Sequence, residues 1–433
     1  FTPTANSTLG SYNVTGSAAG ASLAISFGLT NTQRASATTL VAAPNPSIIR
    51  QAVTLTATVT DSVGSALPTG TVTFTVNGAE VAAALANGVA TYVTDTLAAA
   101  GHVITATYGG DAGFTGSTDN LTQVVNRAAT STALAGAPNP SVYGQAVTFT
   151  ATVTATAPGV GLPTGIVTFT DGTTALGTGT LDASGVATYA TSSLISGPSG
   201  TPGQPHPITA AYGGDGSFAG STSAAVNQVV NQAATTTALV SSRNPSTYGD
   251  GIVFTATVSV QTPGAASMTG EVVIFKDGAT TLGTGTLDAG GVATYATSLL
   301  SVGVYSITAD FAGTSNLLGS TSTELAQIIA KAAQTITFDT IADKQVSAAP
   351  FAMTATASSG LTVTFTSGTP AVCTVSESTV SLVNNGACTI YATQPGDHNY
   401  LAATPVGRSF NVVGKHGTAT SLATAPNPAQ AGA

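Results

Sequence analysis

The stretch Pro138-Asn139-Pro140-Ser141-Val142-Tyr143-Gly144-Gln145-Ala146-Val147-Thr148-Phe149-Thr150-Ala151-Thr152-Val153 decides the fold. From Val147 onward, apolar residues alternate with threonine. That period of two belongs to a β-strand with one buried face (Val147, Phe149, Ala151, Val153) and one wet face. β-Branched and aromatic residues suit such a pleated, half-buried surface. The Pro-Asn-Pro element lies just after an earlier strand. Proline cannot donate to a ladder, so it belongs at an edge, where it kinks the strand and discourages sideways pairing.

The stretch has copies on both sides. Thr38-Thr39-Leu40 leads to Pro44-Asn45-Pro46-Ser47, Ser131–Leu134 leads to the stretch above, and Thr236–Leu239 leads to Asn244-Pro245-Ser246. A further copy opens at Thr420-Ser421-Leu422 and reaches Pro426-Asn427-Pro428. The markers Asn45, Asn139 and Asn244 recur at intervals of about 100 residues, the length of an immunoglobulin-like sandwich. Inward positions of the first long strand recur as Val53, Leu55, Ala57, Val59 and as Ile252, Phe254, Ala256, Val258. The next strand carries Val72 and Phe74, then Val167 and Phe169, then Val273 and Phe275. An extra residue after Gly270 reads as a β-bulge or a longer preceding loop. A hairpin is expected to turn at Asn87-Gly88, Ser184-Gly185 and Gly290-Gly291, residue types that tolerate positive φ. Later strands run Ile104–Tyr108, Ile208–Tyr212 and Ile307–Phe311, and their final partners end in Val124-Val125, Val229-Val230 and Ile328-Ile329.

The expected fold class is all-β: tandem immunoglobulin-like β-sandwich modules in an elongated array. Residues 1–33, with Tyr12, Val14, Leu23, Ile25 and Phe27 alternating, read as the C-terminal strands of a truncated module. Full modules are expected over 34–127, 128–232 and 233–332, a shorter β-sandwich with a disulfide over 333–414, and the first strand of a further module over 415–433. Junctions such as Asn126–Ala129 and Ala330–Ala333 are short, which predicts a semi-rigid rod. Arg34, Arg127, Lys331 and Lys415 recur there, where a neighbouring module's carboxylate is a conceivable partner and solvation the default.

The combination of Pro138-Asn139-Pro140-Ser141, Val147–Val153, Pro163-Thr164-Gly165 and Tyr212-Gly213-Gly214-Asp215-Gly216-Ser217-Phe218 resembles bacterial immunoglobulin-like repeat domains of large surface or secreted proteins. Gly396-Asp397-His398-Asn399-Tyr400 is similar to modules found beside them. The resemblance covers residues 36–413. The third repeat departs from it, with Asp310-Phe311-Ala312-Gly313-Thr314 and then Leu317. The resemblance implies architecture, while roles range from adhesin stalks to filaments and modules appended to enzymes, so function rests on sites.

The search for sites yields little chemistry. His102, His206, His398 and His416 lie apart, none at metal-ligand spacing, and no nucleophile elbow or phosphate loop occurs. No catalytic, cofactor-binding or metal residue is assigned, and the chain reads as a non-enzyme. Asp111, Asp215 and Asp397 each follow Gly in a turn before Phe114, Phe218 and Tyr400. The carboxylate is expected to cap backbone N–H groups while the ring plugs the core; calcium would need several more oxygen ligands. The only cysteines, Cys373 and Cys388, read as a disulfide with two buried free thiols as the alternative; a bridge indicates an oxidising compartment. Asn6, Asn13 and Asn120 begin Asn-x-Ser/Thr patterns, permissive for glycosylation but easily met in a threonine-rich chain.

Eighteen acidic and nine basic residues are thinly scattered, forming no basic patch, which excludes nucleic acid and anionic membrane surfaces as expected partners. Apolar runs are too short to insert in a membrane as a helix. The chain begins at Phe1 with no visible signal peptide, so it reads as a processed product or an excerpt. The leading expectation is a semi-rigid extracellular stalk or spacer of a cell-surface protein, its partners being neighbouring modules of the chain. The first alternative is a filament of identical subunits joined by edge-strand addition. The second is a glycan- or protein-binding module for a cell-surface or matrix ligand, using the proline-rich insert Ser196–Pro207.

Overall fold

The computed structural model describes residues 8–16, 19–20, 25–197 and 200–414. It divides into two compact units, Phe1–Gln232 and Ala233–Ala433. In the first unit, β1 (Gly10–Gly16) and β2 (Ile25–Asn31) form an antiparallel hairpin in a sheet of its own. Leu23, Asn6, His416 and the strand expected within 415–433 lie outside the described residues.

The first module contains β3 (Ser36–Ala43), β4 (Ser47–Ile48), β5 (Val53–Asp61), β6 (Thr71–Val76) and β7 (Ala79–Ala84). It is completed by β8 (Val89–Thr94), β9 (Gly101–Tyr108) and β10 (Ser117–Asn126). One sheet has the order β3-β5-β8 and the other β4-β10-β9-β6-β7. Every pairing is antiparallel except β4 with β10. Between the sheets, Leu55, Ala57, Val72, Phe74, Ile104 and Ala106 are each 0% exposed, so the alternation in the sequence becomes the core. Phe74 on β6 lies beside the small Ala106 on β9 and shares the core with Ala57 on β5, and such mixing of large and small side chains lets the layers interdigitate.

The second module repeats this plan. Thr130–Ala137, Val147–Ala155 and Val186–Thr191 form its smaller sheet, facing Ile166–Asp171, Thr174–Thr180 and His206–Tyr212. In the second unit, Thr235–Ser241, Ile252–Val260 and Val292–Thr297 face a sheet built on Val272–Asp277, Gly303–Gly313 and Leu325–Ala330.

Two details sharpen the expectation. The turn at Asn87-Gly88 closes a hairpin of a single antiparallel bridge, Ala86 with Val89, beyond which the strands part: β7 belongs with β6 while β8 pairs with β5. Asn87 and Gly88 do take positive φ, at 52° and 76°, and the tight turn carries the chain from one sheet to the other. The hairpin proper joins β6 to β7 through Asn77-Gly78. The residue added after Gly270 lengthens the turn ahead of Val272, where Glu271 N–H bonds the Met268 carbonyl. The ladder slips instead at Phe275/Lys276 and equally at Phe169/Thr170, in a copy without the extra residue. There Gly177 and Gly283 lie under Tyr189 and Tyr295, so close that a Cβ would come within 2.3 Å of either ring. The ring needs a strand without a side chain beneath it.

The shorter module after residue 333 has three small sheets. Cys373, on Cys373–Ser376, is disulfide-bonded to Cys388 on Gly386–Thr393, which belongs to a different sheet. Both sulfurs sit in the core with Phe338, Ile390 and Phe410. A bridge spanning 15 residues stabilises by about 3 kcal/mol through restriction of the unfolded chain. Replacing both cysteines by alanine is expected to lower the calorimetric transition of this module by about that amount, leaving transitions of the other modules in place.

Candidate functional site at the module joints

Each repeat must pass its opening strand from one sheet to the other, and the Pro-Asn-Pro element, replaced by Arg243-Asn244-Pro245 in the third repeat, makes the passage. β3 ends at Ala43 and β4 begins at Ser47. Two prolines in between remove the donors that would hold the strand in its first ladder. The intervening asparagine substitutes for them: Asn45 Nδ2 donates to the Thr122 carbonyl (2.9 Å) and its Oδ1 accepts the Val124 N–H (3.0 Å). Asn139 does the same with Asn227 and Val229, and Asn244 with Ala326 and Ile328. Beneath the crossover lies a glutamine with no exposure. Gln123 Nε2 donates to the Pro44 carbonyl, Ser47 Oγ and the Val124 carbonyl. Gln228 and Gln327 repeat the arrangement. Sequence reading missed these glutamines, although each immediately precedes a Val-Val or Ile-Ile pair.

The second recurring element is the Gly-Asp turn. Asp111 Oδ1 accepts the Gly113 and Phe114 N–H groups at 2.7 and 2.9 Å, while Oδ2 accepts the Thr69 N–H and hydroxyl at 2.9 and 2.7 Å. Asp215 makes the same four bonds with Ser217, Phe218 and Thr164. Burial works to raise both carboxyls, yet bonds from the threonine hydroxyl and from backbone N–H groups prevail and hold them at about 2. Burial, together with the neighbouring aspartate, pushes Tyr108 and Tyr212 up to about 12. Asp397 caps Asn399 and Tyr400 in the shorter module. In the third repeat Thr314 Oγ1 caps Asn316 and Leu317 instead. The aspartate oxygens therefore face donors, and among the described residues no group of three His, Cys, Asp or Glu could hold a metal. What all four turns share is a glycine with φ between 79° and 89° (Gly110, Gly214, Gly313, Gly396), where a Cβ would meet a backbone oxygen within 2.4–2.8 Å.

Each turn receives the chain entering its module. Arg34, Ala128, Ala233 and Ala332 form parallel bridges to Phe114, Phe218, Leu317 and Tyr400. Within the first unit, Arg127 alone separates Asn126, the last residue of β10, from bridged Ala128. Ile49, Leu97 and Val125 of the first module share one apolar cluster with Ala128 and Phe218 of the second. Within the second unit, Lys331 alone separates Ala330 from Ala332. The Tyr248 ring meets Tyr400 edge-on at 5.5 Å. Asn399 Oδ1 accepts the Val302 N–H (3.1 Å), His398 Nε2 donates to the Val302 carbonyl (2.9 Å), and Lys331 Nζ donates to the Asp397 carbonyl (2.5 Å). Ile49 and Tyr248 occupy the same place, each three residues beyond the last proline of its crossover, so the crossover of one module presents the side chain that meets the turn of the next.

Other site residues have local tasks. Arg34 pairs with Asp61 of the module it opens rather than with a neighbour's carboxylate. His102 is held by Asn77 and the Ala98 carbonyl, and His206 by Asp171 (2.6 Å) and the Ile195 carbonyl (3.0 Å). In the proline-rich insert, buried Ser196 donates to the Val230 carbonyl. Asn13 and Asn120 are exposed.

The sequence model of the bacterial Ig-like domain (group 3) matches residues 38–126, 134–231 and 239–330. No curated protein matches the chain. Among solved structures, invasin, a bacterial integrin-binding protein, is 14% identical over 87% of this chain and 79% of its own, with a TM-score of 0.30. The Escherichia coli adhesin FdeC is 14% identical over 68% of this chain and 96% of its own, at 0.26. Fibronectin(III)-like modules of Clostridium thermocellum CbhA are 18% identical over 45% of this chain and 92% of theirs, at 0.19.

The Asp111 and Asp215 turns carry an acid signature. Their folded values lie below the ordinary unfolded value of about 4, so their contribution is complete above about pH 4 and lost as pH falls through about 2. A variant carrying Asp111→Asn and Asp215→Asn is expected to melt lower at pH 7 and to lose less stability between pH 4 and 2 than the parent, as followed by thermal melts across that range.

Proposed function

The chain belongs to the bacterial Ig-like domain (group 3) family, and on that premise we propose that it is a non-catalytic structural segment, a semi-rigid stalk or spacer of an extracellular or cell-surface protein. The observation that carries this reading is the joint. A single residue, Arg127 or Lys331, stands between the last ladder of one module and the first bridge of the next. Side chains from both modules pack across the same gap. A linker of one residue lacks the freedom that makes domains move independently.

Composition and chemistry support the location. The inter-sheet disulfide suits an oxidising compartment. Wet strand faces covered in threonine keep the surface polar with few lysines.

Spin labels at Val41→Cys and Ile166→Cys, exposed positions in the first and second modules, test the reading. The described residues contain no free thiol to compete. The expected result is one narrow inter-label distance distribution in pulsed electron resonance. A broad distribution would mean a hinge at Arg127 and would defeat the spacer proposal.

A further inference from the structure

Basic side chains are scarce in this protein, and most are committed within it. Arg34, Arg243 and Lys276 form ion pairs with Asp61, Asp250 and Asp310. Lys331 and Arg408 donate to the carbonyls of Asp397 and Phe338, and Lys344 lies over the Phe351 ring. Among the described residues that leaves Arg50 and Arg127, which are exposed and have neither an ion pair nor a hydrogen-bond acceptor. Both stand at the joint between the first two modules. Ile48 pairs with Asn126 in the parallel ladder, and the two arginines follow directly beyond that pair.

Arg50 occupies a place suited to glycine. Gln51 N–H bonds the Ile48 carbonyl (2.9 Å) to close a four-residue turn, and the matching turns close at Gln145 and Asp250. The third residue of each has positive φ: Gly144 at 80°, Gly249 at 87° and Arg50 at 61°. Glycine takes that conformation freely, whereas a long side chain is strained in it. An arginine kept there at a cost to stability calls for a use. Its side chain crosses the joint. A Cβ on Gly161 would lie 3.7 Å from Arg50 Nε and 3.1 Å from Phe218 Cζ, so the arginine rests on a loop of the second module.

Arg127 is close to the same loop. The Tyr212 hydroxyl donates to the Thr164 carbonyl (2.8 Å), and Arg127 acts against the rise that burial and Asp215 impose on that phenol. The carboxylate of Asp215 is already occupied by four donors, and Asp95, on the loop after β8, pairs with neither arginine. The second module carries Gly144 and Gln232 at the matching positions, and in the third Gly249 stands with Lys331. Two uncommitted guanidinium groups at one joint are therefore peculiar to the first. Their planar forks of N–H donors match the oxygens of a carboxylate or sulfate. We propose that this joint binds such an oxyanion, free or carried on an acidic polysaccharide, with Arg50 and Arg127 as its ligands. The site stands apart from the spacer reading, which needs no ligand.

The test is isothermal titration calorimetry of the 433-residue chain at constant ionic strength, with sodium sulfate, heparin and polygalacturonate as probes. Arg50→Gly and Arg127→Gln introduce the residue types of the second module, so both variants are expected to fold, as circular dichroism checks. Each is expected to weaken binding at least about tenfold, while Lys344→Gln leaves it unchanged. Sulfate binding lost in the two variants supports a site for a free oxyanion. Binding of heparin or polygalacturonate alone, lost in the same variants, supports a site for the group on a polysaccharide. Silence with all three probes overturns the proposal. So does binding that Arg50→Gly and Arg127→Gln leave undiminished, or that Lys344→Gln reduces equally, because the contact is then not made at the joint.

Discussion

A strand that serves two sheets has to give up one set of hydrogen bonds before it can make the other, and the architecture of each repeat depends on how that exchange is satisfied. Two prolines, or Pro245 alone in the third repeat, end the first set, one asparagine bridges the gap with its amide, and a buried glutamine ties the crossover to the closing strand. Burying an amide costs free energy unless its polar atoms are used; the acceptors around Gln123 Nε2 use its N–H groups, while its buried Oε1 has no hydrogen-bond partner. The crossover of the opening segment and the end of the closing strand are thereby fixed at one place. The closing strand then leaves next to the loop that opens after the crossover, which is why Ile49 or Tyr248 stands ready at the joint.

Much of this was legible in the sequence. Alternation of threonine with Val, Phe and Ala announced the strands and their buried faces, because a period of two admits no other regular structure. Repetition announced the modules, and Gly-Asp before an aromatic announced the capped turn. The connections were harder. Asn87-Gly88 has the chemistry of a tight turn, but turn chemistry is local and does not say whether the flanking strands share a sheet. Gln123, Gln228 and Gln327 carry no local signal that sets them apart from polar residues of a solvated strand. Only the proximity of Pro44 and Ser47, far away in sequence, makes their burial favourable.

The third repeat separates what the Gly-Asp turn requires from what merely improves it. Thr314 replaces the aspartate and Leu317 the phenylalanine, yet the turn still caps two N–H groups and still receives Ala233 in a bridge. Gly313 stays. A hydroxyl can do part of a carboxylate's work, and an aliphatic side chain can fill a ring's place, but no side chain fits a positive-φ position with a carbonyl oxygen 2.5 Å away.

The parallel pairing of β4 with β10 gives each repeat a definite response to tension. The chain enters the module at the Phe114 turn, ahead of β10, reaches β4 through the crossover and departs from the end of β10, so a pull on its two ends drives β4 and β10 past one another along their common axis. Their ladder bonds, with the asparagine amide and the glutamine beneath, lie across that motion and share the load instead of opening one after another like a zip.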